Sequence, residues 1–344
     1  MRLNIFILTF MIISVFTSCG RSKGKQTPFE ASGRALQLVA VLPDEYNTDE
    51  FKANIKEVFA GPIGILPQDE PACDMMYTTH SGFDKLFKIF RNILYIDIND
   101  QRYTRVGLHI TRDEFAGNQL IVTAKAPTLE SMKEMLTTQK QYLSDLFYKE
   151  ELTRSRNLLA HTYSSKMAKM VEDSIGGVTA NPLEEIKYVT GKRGFVWGST
   201  QNPRGRIDIV VYDFPYTDPN TFTANYLVRK RDSVMMENIH GEFADSYMTT
   251  EKRLPQRFTA FEQDGIYRGE MRGLWQMEGD MMGGPYVMHA VVDEANARVV
   301  VIEAFVFAPS KEKRNLLLLG ESVLYTLRPV NTEVSTTHIK TPKQ

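Results

Sequence analysis

Leu36 to Leu42 (Leu-Gln-Leu-Val-Ala-Val-Leu) is a nearly unbroken apolar run closed by Pro43-Asp44, the pattern of a buried strand. Behind Asn47 or Thr48, either of which can cap a helix, Phe51, Ile55, Val58 and Phe59 fall on one helical face, and Gly61-Pro62 stops it. A Pro-rich connector, Ile65 to Pro71, follows. Phe83, Leu86, Phe87 and Phe90 mark a short helix, and Asn92 to Ile98, Arg105 to Ile110 and Gln119 to Ala126 read as strands. Thr128 caps a long helix whose apolar stripe (Leu129, Met132, Leu136, Leu143, Leu146) carries it to about Leu159.

The rhythm then repeats loosely. Ile186 to Trp197 and Ile207 to Tyr212 read as strands. Asp218-Pro219 is a helix start, an N-cap followed by Pro at the first position, with Ala224, Leu227, Val228, Met235 and Ile239 at helical spacing behind it. Strands are expected at Phe258 to Phe261, Ile266 to Gln276, Tyr286 to Val292 and Arg298 to Phe307. Ser310 caps a last helix carrying Leu316, Leu317, Val323, Leu324 and Leu327. Strand-first halves with late amphipathic helices predict an α+β fold. Its sheets are expected to be antiparallel, with helices on one face, in two loosely similar halves at 34–160 and 161–330. Strict βαβ alternation is missing, which argues against a doubly wound sheet.

Composition changes this picture little. The chain has 344 residues, 42% hydrophobic and 24% charged, as in ordinary globular proteins. Lys plus Arg number 41 against 42 Asp plus Glu, so no strong field is available to gather nucleic acid, and none is expected as a partner.

The N-terminus is more informative. After Arg2, the stretch Leu3 to Phe16 is almost wholly apolar, the length of a signal-peptide core and short for a membrane span. It ends in Phe16-Thr17-Ser18-Cys19-Gly20, which resembles a bacterial lipobox, with Phe16 where Leu is usual. That resemblance implies cleavage before Cys19 and its acylation; an ordinary cleaved signal and a retained anchor helix are the competing readings. The chain therefore divides into a signal peptide at 1–18, a lipidated flexible tether at 19–33, the two halves, and a disordered tail at 331–344. Lipoproteins of related organisms tend to reach the cell surface when acidic residues closely follow the cysteine; here Arg21, Lys23 and Lys25 follow, with no acid before Glu30, so the lipobox resemblance implies the periplasmic face of the outer membrane as the expected location.

Two groups of segments carry a second resemblance. Phe59 to Pro71 and Phe87 to Leu94, then Glu270 to Trp275 with Met282 to Pro285, and Arg298 to Pro309, resemble a lipoprotein family of Bacteroidota known as domain of unknown function 4837. The resemblance implies a lipoprotein of similar length and no known activity.

The chemical constellations point away from catalysis. The six histidines include no H-E-x-x-H or H-x-H pair, and His240-Gly241-Glu242 with Asp245 reads better as a helix end than as a metal site. No nucleophile elbow, phosphate loop or dinucleotide fingerprint occurs in its expected surroundings, so no catalytic residue, metal or cofactor is expected. With Cys19 acylated, Cys73 is the one remaining thiol; Glu70 and Asp74 beside it raise rather than lower its pKa, the pattern of a buried packing residue. Met271, Met277, Met281, Met282 and Met288 cluster around Trp275 at irregular intervals, which suits core filling or an adaptable apolar surface better than a copper site.

In the strand Tyr267 to Trp275, one face carries Tyr267, Met271 and Gly273 and the other Arg268, Glu270, Arg272 and Leu274. Arg268, Glu270, Arg272 and Trp275 form the candidate binding surface, since Arg and Trp are favoured at hot spots. A half-buried strand with a salt-bridge ladder is the bland alternative, and Trp275 next to Leu274 and the Gly283-Gly284-Pro285 turn leans towards burial. The expected function is that of a membrane-tethered envelope lipoprotein, a non-enzymatic module binding an envelope protein or polymer. A periplasmic hydrolase without a recognisable motif is the alternative.

Overall fold

A computed structural model describes residues 29–63 and 65–330. The expected signal peptide, Cys19, most of the expected tether and the expected tail at 331–344 lie outside the described residues.

The first half contains β1 (Gln37–Leu42), α1 (Asp49–Phe59), β2 (Asp74–Thr79), α2 (Lys85–Lys88), β3 (Asn92–Ile98), β4 (Gly107–Arg112), β5 (Leu120–Ala126), α3 (Leu129–Thr138) and α4 (Lys140–Leu159). Its sheet runs β2-β1-β3-β5-β4. The β1–β2, β1–β3 and β3–β5 pairs are parallel, and only β4 is antiparallel. The α+β class holds for the chain, but the expectation of antiparallel pairing fails in this half. The missing piece in the pattern is β2: all six of its residues are half-buried, so no alternation betrays it. With β2 present, α1 and the Pro-rich connector become the crossover that a parallel pair requires. Phe51, Ile55, Phe59, Met132, Leu136, Leu143 and Phe147 pack from α1, α3 and α4 onto one sheet face. The single long helix expected from Thr128 is broken at Gln139, after the β-branched pair Thr137-Thr138.

The second half contains α5 (Ser165–Ile175), β6 (Val178–Thr179), β7 (Tyr188–Lys192), β8 (Phe195–Ser199), β9 (Arg206–Pro215), α6 (Ala224–Asn238), β10 (Tyr247–Thr250), β11 (Arg257–Gln263), β12 (Ile266–Glu278), β13 (Gly283–Asp293), β14 (Arg298–Phe307), α7 (Arg314–Leu324) and β15 (Arg328–Pro329). Its main sheet is antiparallel in every pairing, in the order β10-β12-β13-β14-β9-β8-β7, with β11 also on β12. Both faces are covered. Along β14, Val300, Ile302, Ala304 and Val306 join the core beneath α5 and α7, while Val299, Val301 and Phe305 join the core beneath α6. Burial on both faces explains why this strand reads as a continuous apolar run rather than an alternating one.

Several local expectations change. Ile186 to Trp197 is a hairpin, not one strand, turning at Arg193-Gly194 with Gly194 at φ +78°. Asp218-Pro219 starts only a 3₁₀ turn, and Thr223 caps α6 instead, accepting from the Tyr226 amide. Gly283-Gly284-Pro285 opens β13 rather than making a turn; a Cβ on Gly284 would stand 2.0 Å from the Val306 carbonyl oxygen. Ser310 does not cap α7. The buried Glu70 carboxylate of the first half does so, accepting from the backbone amides of Lys313 (2.8 Å) and Arg314 (2.8 Å). Arg314 then reaches back to Asp74 at 2.9 Å, and Leu36, Leu152 and Leu318 pack between α4 and α7. The halves are thus joined by an interlocked cap and a small apolar seam.

Candidate functional site

Three of the four residues singled out on β12 share one face, beneath α7. Arg268 donates to the Leu324 and Leu327 carbonyls at 3.1 and 2.8 Å, closing the C-terminal end of α7. Burial lowers its pKa to about 10. Arg272 donates to Glu270 at 2.7 Å and to Glu321 of α7 at 2.8 Å, and Tyr148 of α4 donates its hydroxyl to the same Glu321. His289, directly across from Glu270 on β13, lies 3.4 Å from that carboxylate. Burial would raise Glu270, but its hydrogen bond with His289 and the Arg272 charge hold it below its ordinary value. Burial holds His289 below its ordinary value despite Glu270.

Trp275 lies on the opposite face, 1% exposed, with its ring 5.3 Å from Phe305 and its indole N–H donating to the Val306 carbonyl at 3.2 Å. The two faces of β12 are those read from the sequence. The surface is not, because Arg268, Glu270 and Trp275 are buried and Arg272 is nearly so. The correction has a physical cause: Arg268 meets the helix-end carbonyls of Leu324 and Leu327, and Arg272 is shared between Glu270 on its own strand and Glu321 of α7. The cluster is structural glue, and Met271, Met277 and Met288 fill the core beside Trp275.

Cys73 is likewise inside; burial pushes its thiol up to about 12, with Asp74 adding and Arg314 opposing. Among the described residues no group of three or more His, Cys, Asp or Glu is placed to hold a metal ion. No described helix is long and apolar enough to cross a membrane.

The candidate site lies at one end of the second sheet. A cleft of about 750 Å³ is framed by the β11–β12 hairpin, the segment after β9, the β13–β14 turn and the small β6–β15 ribbon. The hairpin turns on Asp264 (φ +53°) and Gly265 (φ +76°), an Asp-Gly pair suited to a tight two-residue loop. That register sets Glu262 opposite Tyr267. Phe222 stands edge-on to both Tyr216 (5.9 Å) and Tyr267 (5.0 Å), a row of three aromatic rings along the cleft. Tyr216 and Tyr267 are 37% and 45% exposed, so ring surface remains free for a ligand.

Every charged residue of the lining is acidic: Glu262, Asp293 and Glu294. Asp293 is occupied, accepting from Arg298 at 2.9 Å and Asn296 at 2.8 Å. Glu262 and Glu294 are exposed and pair with no basic group among the described residues. Arg298 also donates to Asp213 and to the Ile175 carbonyl. The sequence hid this site because its parts come from four distant segments, and Asp293-Glu294 looks like an ordinary turn. A shallower polar depression between β10 and β12 includes Glu251, whose carboxylate the Arg253 guanidinium already engages.

Residues 164–326 match the family model described as Domain of unknown function (DUF4837), and residues 31–160 match a separate one, Domain of unknown function (DUF8532). Glu270 to Trp275, Met282 to Pro285 and Arg298 to Pro309 fall in the first span, whereas Phe59 to Pro71 and Phe87 to Leu94 fall in the second. No curated protein matches the chain. Among solved structures, a point mutant of the protein Mog1 aligns with a TM-score of 0.31 and 10% identity over 46% of this chain and 93% of that one.

Proposed function

We propose, starting from the match of residues 164–326 to the DUF4837 family model, that this chain is a membrane-tethered envelope lipoprotein with a non-enzymatic binding module as its folded body. In this reading an acylated Cys19 is the anchor, and the body stands on the periplasmic face of the outer membrane. The observation that supports the binding role is the cleft, with a row of three aromatic rings and, among the described residues, two carboxylates without a basic partner and no basic residue in its lining.

Aromatic faces attract cations, and carboxylates at the mouth steer and retain them. A partner segment bearing Lys or Arg fits this lining best. A neutral polymer would use the rings but gain nothing from the charges.

Two experiments test the halves of this reading separately. Labelling with an acyl-chain analogue is expected to mark the wild type and not Cys19→Ala, and equal labelling would contradict the anchor. A photo-crosslinking side chain at Tyr267 is expected to trap a partner in living cells that the same group at Met281 does not. Identical adducts from both positions would contradict the cleft.

A further inference from the structure

The first sheet has a second face that its own chain does not close. Val39, Val41, Ile93 and Ile121 are buried there, but what lies over them is only partly buried: Phe83, Phe87, Phe90 and the four-residue α2. Leu86 is 70% exposed and Phe29 68%. These residues form one patch. The Gly117 amide donates to the Phe29 carbonyl at 2.7 Å, Phe83 meets Phe115 edge-on at 6.2 Å, and the Lys88 ammonium lies 5.7 and 5.6 Å from their ring centroids.

We infer that this patch is the face on which the folded body rests against the lipid bilayer. The inference rests on the Cys19 anchor proposed above. Phe29, the first described residue, is itself part of the patch, and Cys19 stands ten positions earlier. Ten residues span at most about 35 Å even when fully extended, so an anchored chain holds this face, before any other, close to the membrane. Aromatic rings favour the interfacial layer, and a lysine with its stem along apolar surface keeps its ammonium at headgroup level. Glu30, Asp84, Asp113 and Glu114 stand next to patch residues in the chain, as do Lys85 and Lys88, so no single sign of charge dominates and the attraction to the bilayer is chiefly apolar.

The test uses the full-length protein in its own membranes, with a photoactivatable lipid and peptide mapping of the adducts. Peptides containing Phe29, Leu86 and Phe115 are expected to carry about tenfold more adduct than the peptide containing Met281, a fully exposed residue of the other half. Leu86→Asp is expected to cut adducts on its own peptide about tenfold while leaving the acylated protein membrane-bound. Adducts no denser on the patch than at Met281 overturn the inference. Acyl labelling of the same sample separates the two readings: patch adducts without acyl label would sink the anchor and keep the docking face, and acyl label without patch adducts would do the reverse.

Discussion

The two halves differ in how completely they cover their sheets. The second sheet is clad on both faces, by α5 and α7 on one side and α6 on the other, and buried ion pairs such as Arg231–Glu303 and Arg272–Glu321 lie beneath those helices. The first is clad by α1, α3 and α4 on one face and left thin on the other. A fully clad sheet has little apolar surface to offer, so the recognition surface we propose lies at a sheet end, where hairpins and turns converge into the cleft. A sheet clad on one side keeps a broad apolar face, and here Phe29, ten positions after the proposed anchor Cys19, is part of that face.

The largest test of this contrast is the salt bridge inside the second half. Arg231 of α6 donates to both Glu303 oxygens, at 2.8 and 2.7 Å, with neither side chain exposed to solvent. Burial lifts the Glu303 carboxyl above its ordinary value, with Arg231 opposing. Glu303→Leu should cost about 3–5 kcal/mol in chemical denaturation, because it strands a buried guanidinium. Replacing both partners by apolar residues of similar volume should restore most of the loss; if it does not, the pair holds the core together in a way desolvation does not describe.

Trp275→Ala should cost about 3–5 kcal/mol, since truncation leaves a cavity against Phe305 and Phe307. A much smaller loss, with a defect confined to partner binding, would return Trp275 to the surface. Next in size is a pH effect. His289 stays neutral in the fold below the pH at which an unfolded histidine charges, about 6.5, so protons favour the unfolded chain there. Stability should fall as pH drops from 7 to 5, by at most about 1.4 kcal/mol per pH unit from this group. His289→Gln should flatten that slope, and an unchanged slope would remove His289 from the account. In the thinly covered first half, Phe83→Ala should cost only about 1 kcal/mol, because the ring is half-buried to begin with. Leu86→Asp should shift stability by no more than about 0.5 kcal/mol.

Much of the fold was legible. β3 spans the residues its alternation marks, Asn92–Ile98, and β14 those of its apolar run, Arg298–Phe307. Signals failed where local pattern gives way to partners distant in sequence. β2 is half-buried throughout and shows no period. The α7 cap is Glu70, more than two hundred residues away, so no local motif announces it. The face assignment along β12 was readable, but whether Arg268 and Glu270 met water or α7 depended on packing that periodicity cannot report. The cleft was the least legible feature, since Tyr216, Phe222, Tyr267 and Glu294 are each unremarkable in their own segments.

The most direct test of the central claim is a calorimetric titration of the protein with three short peptides that are lysine-rich, neutral and acidic. The account predicts that the lysine-rich peptide binds at least tenfold more tightly than the other two. Substituting Tyr267→Ala, or Glu262→Gln together with Glu294→Gln, should remove about tenfold of that affinity, some 1.4 kcal/mol. Binding that ignores peptide charge, or that survives these changes intact, would contradict a cation-accepting cleft in the second half.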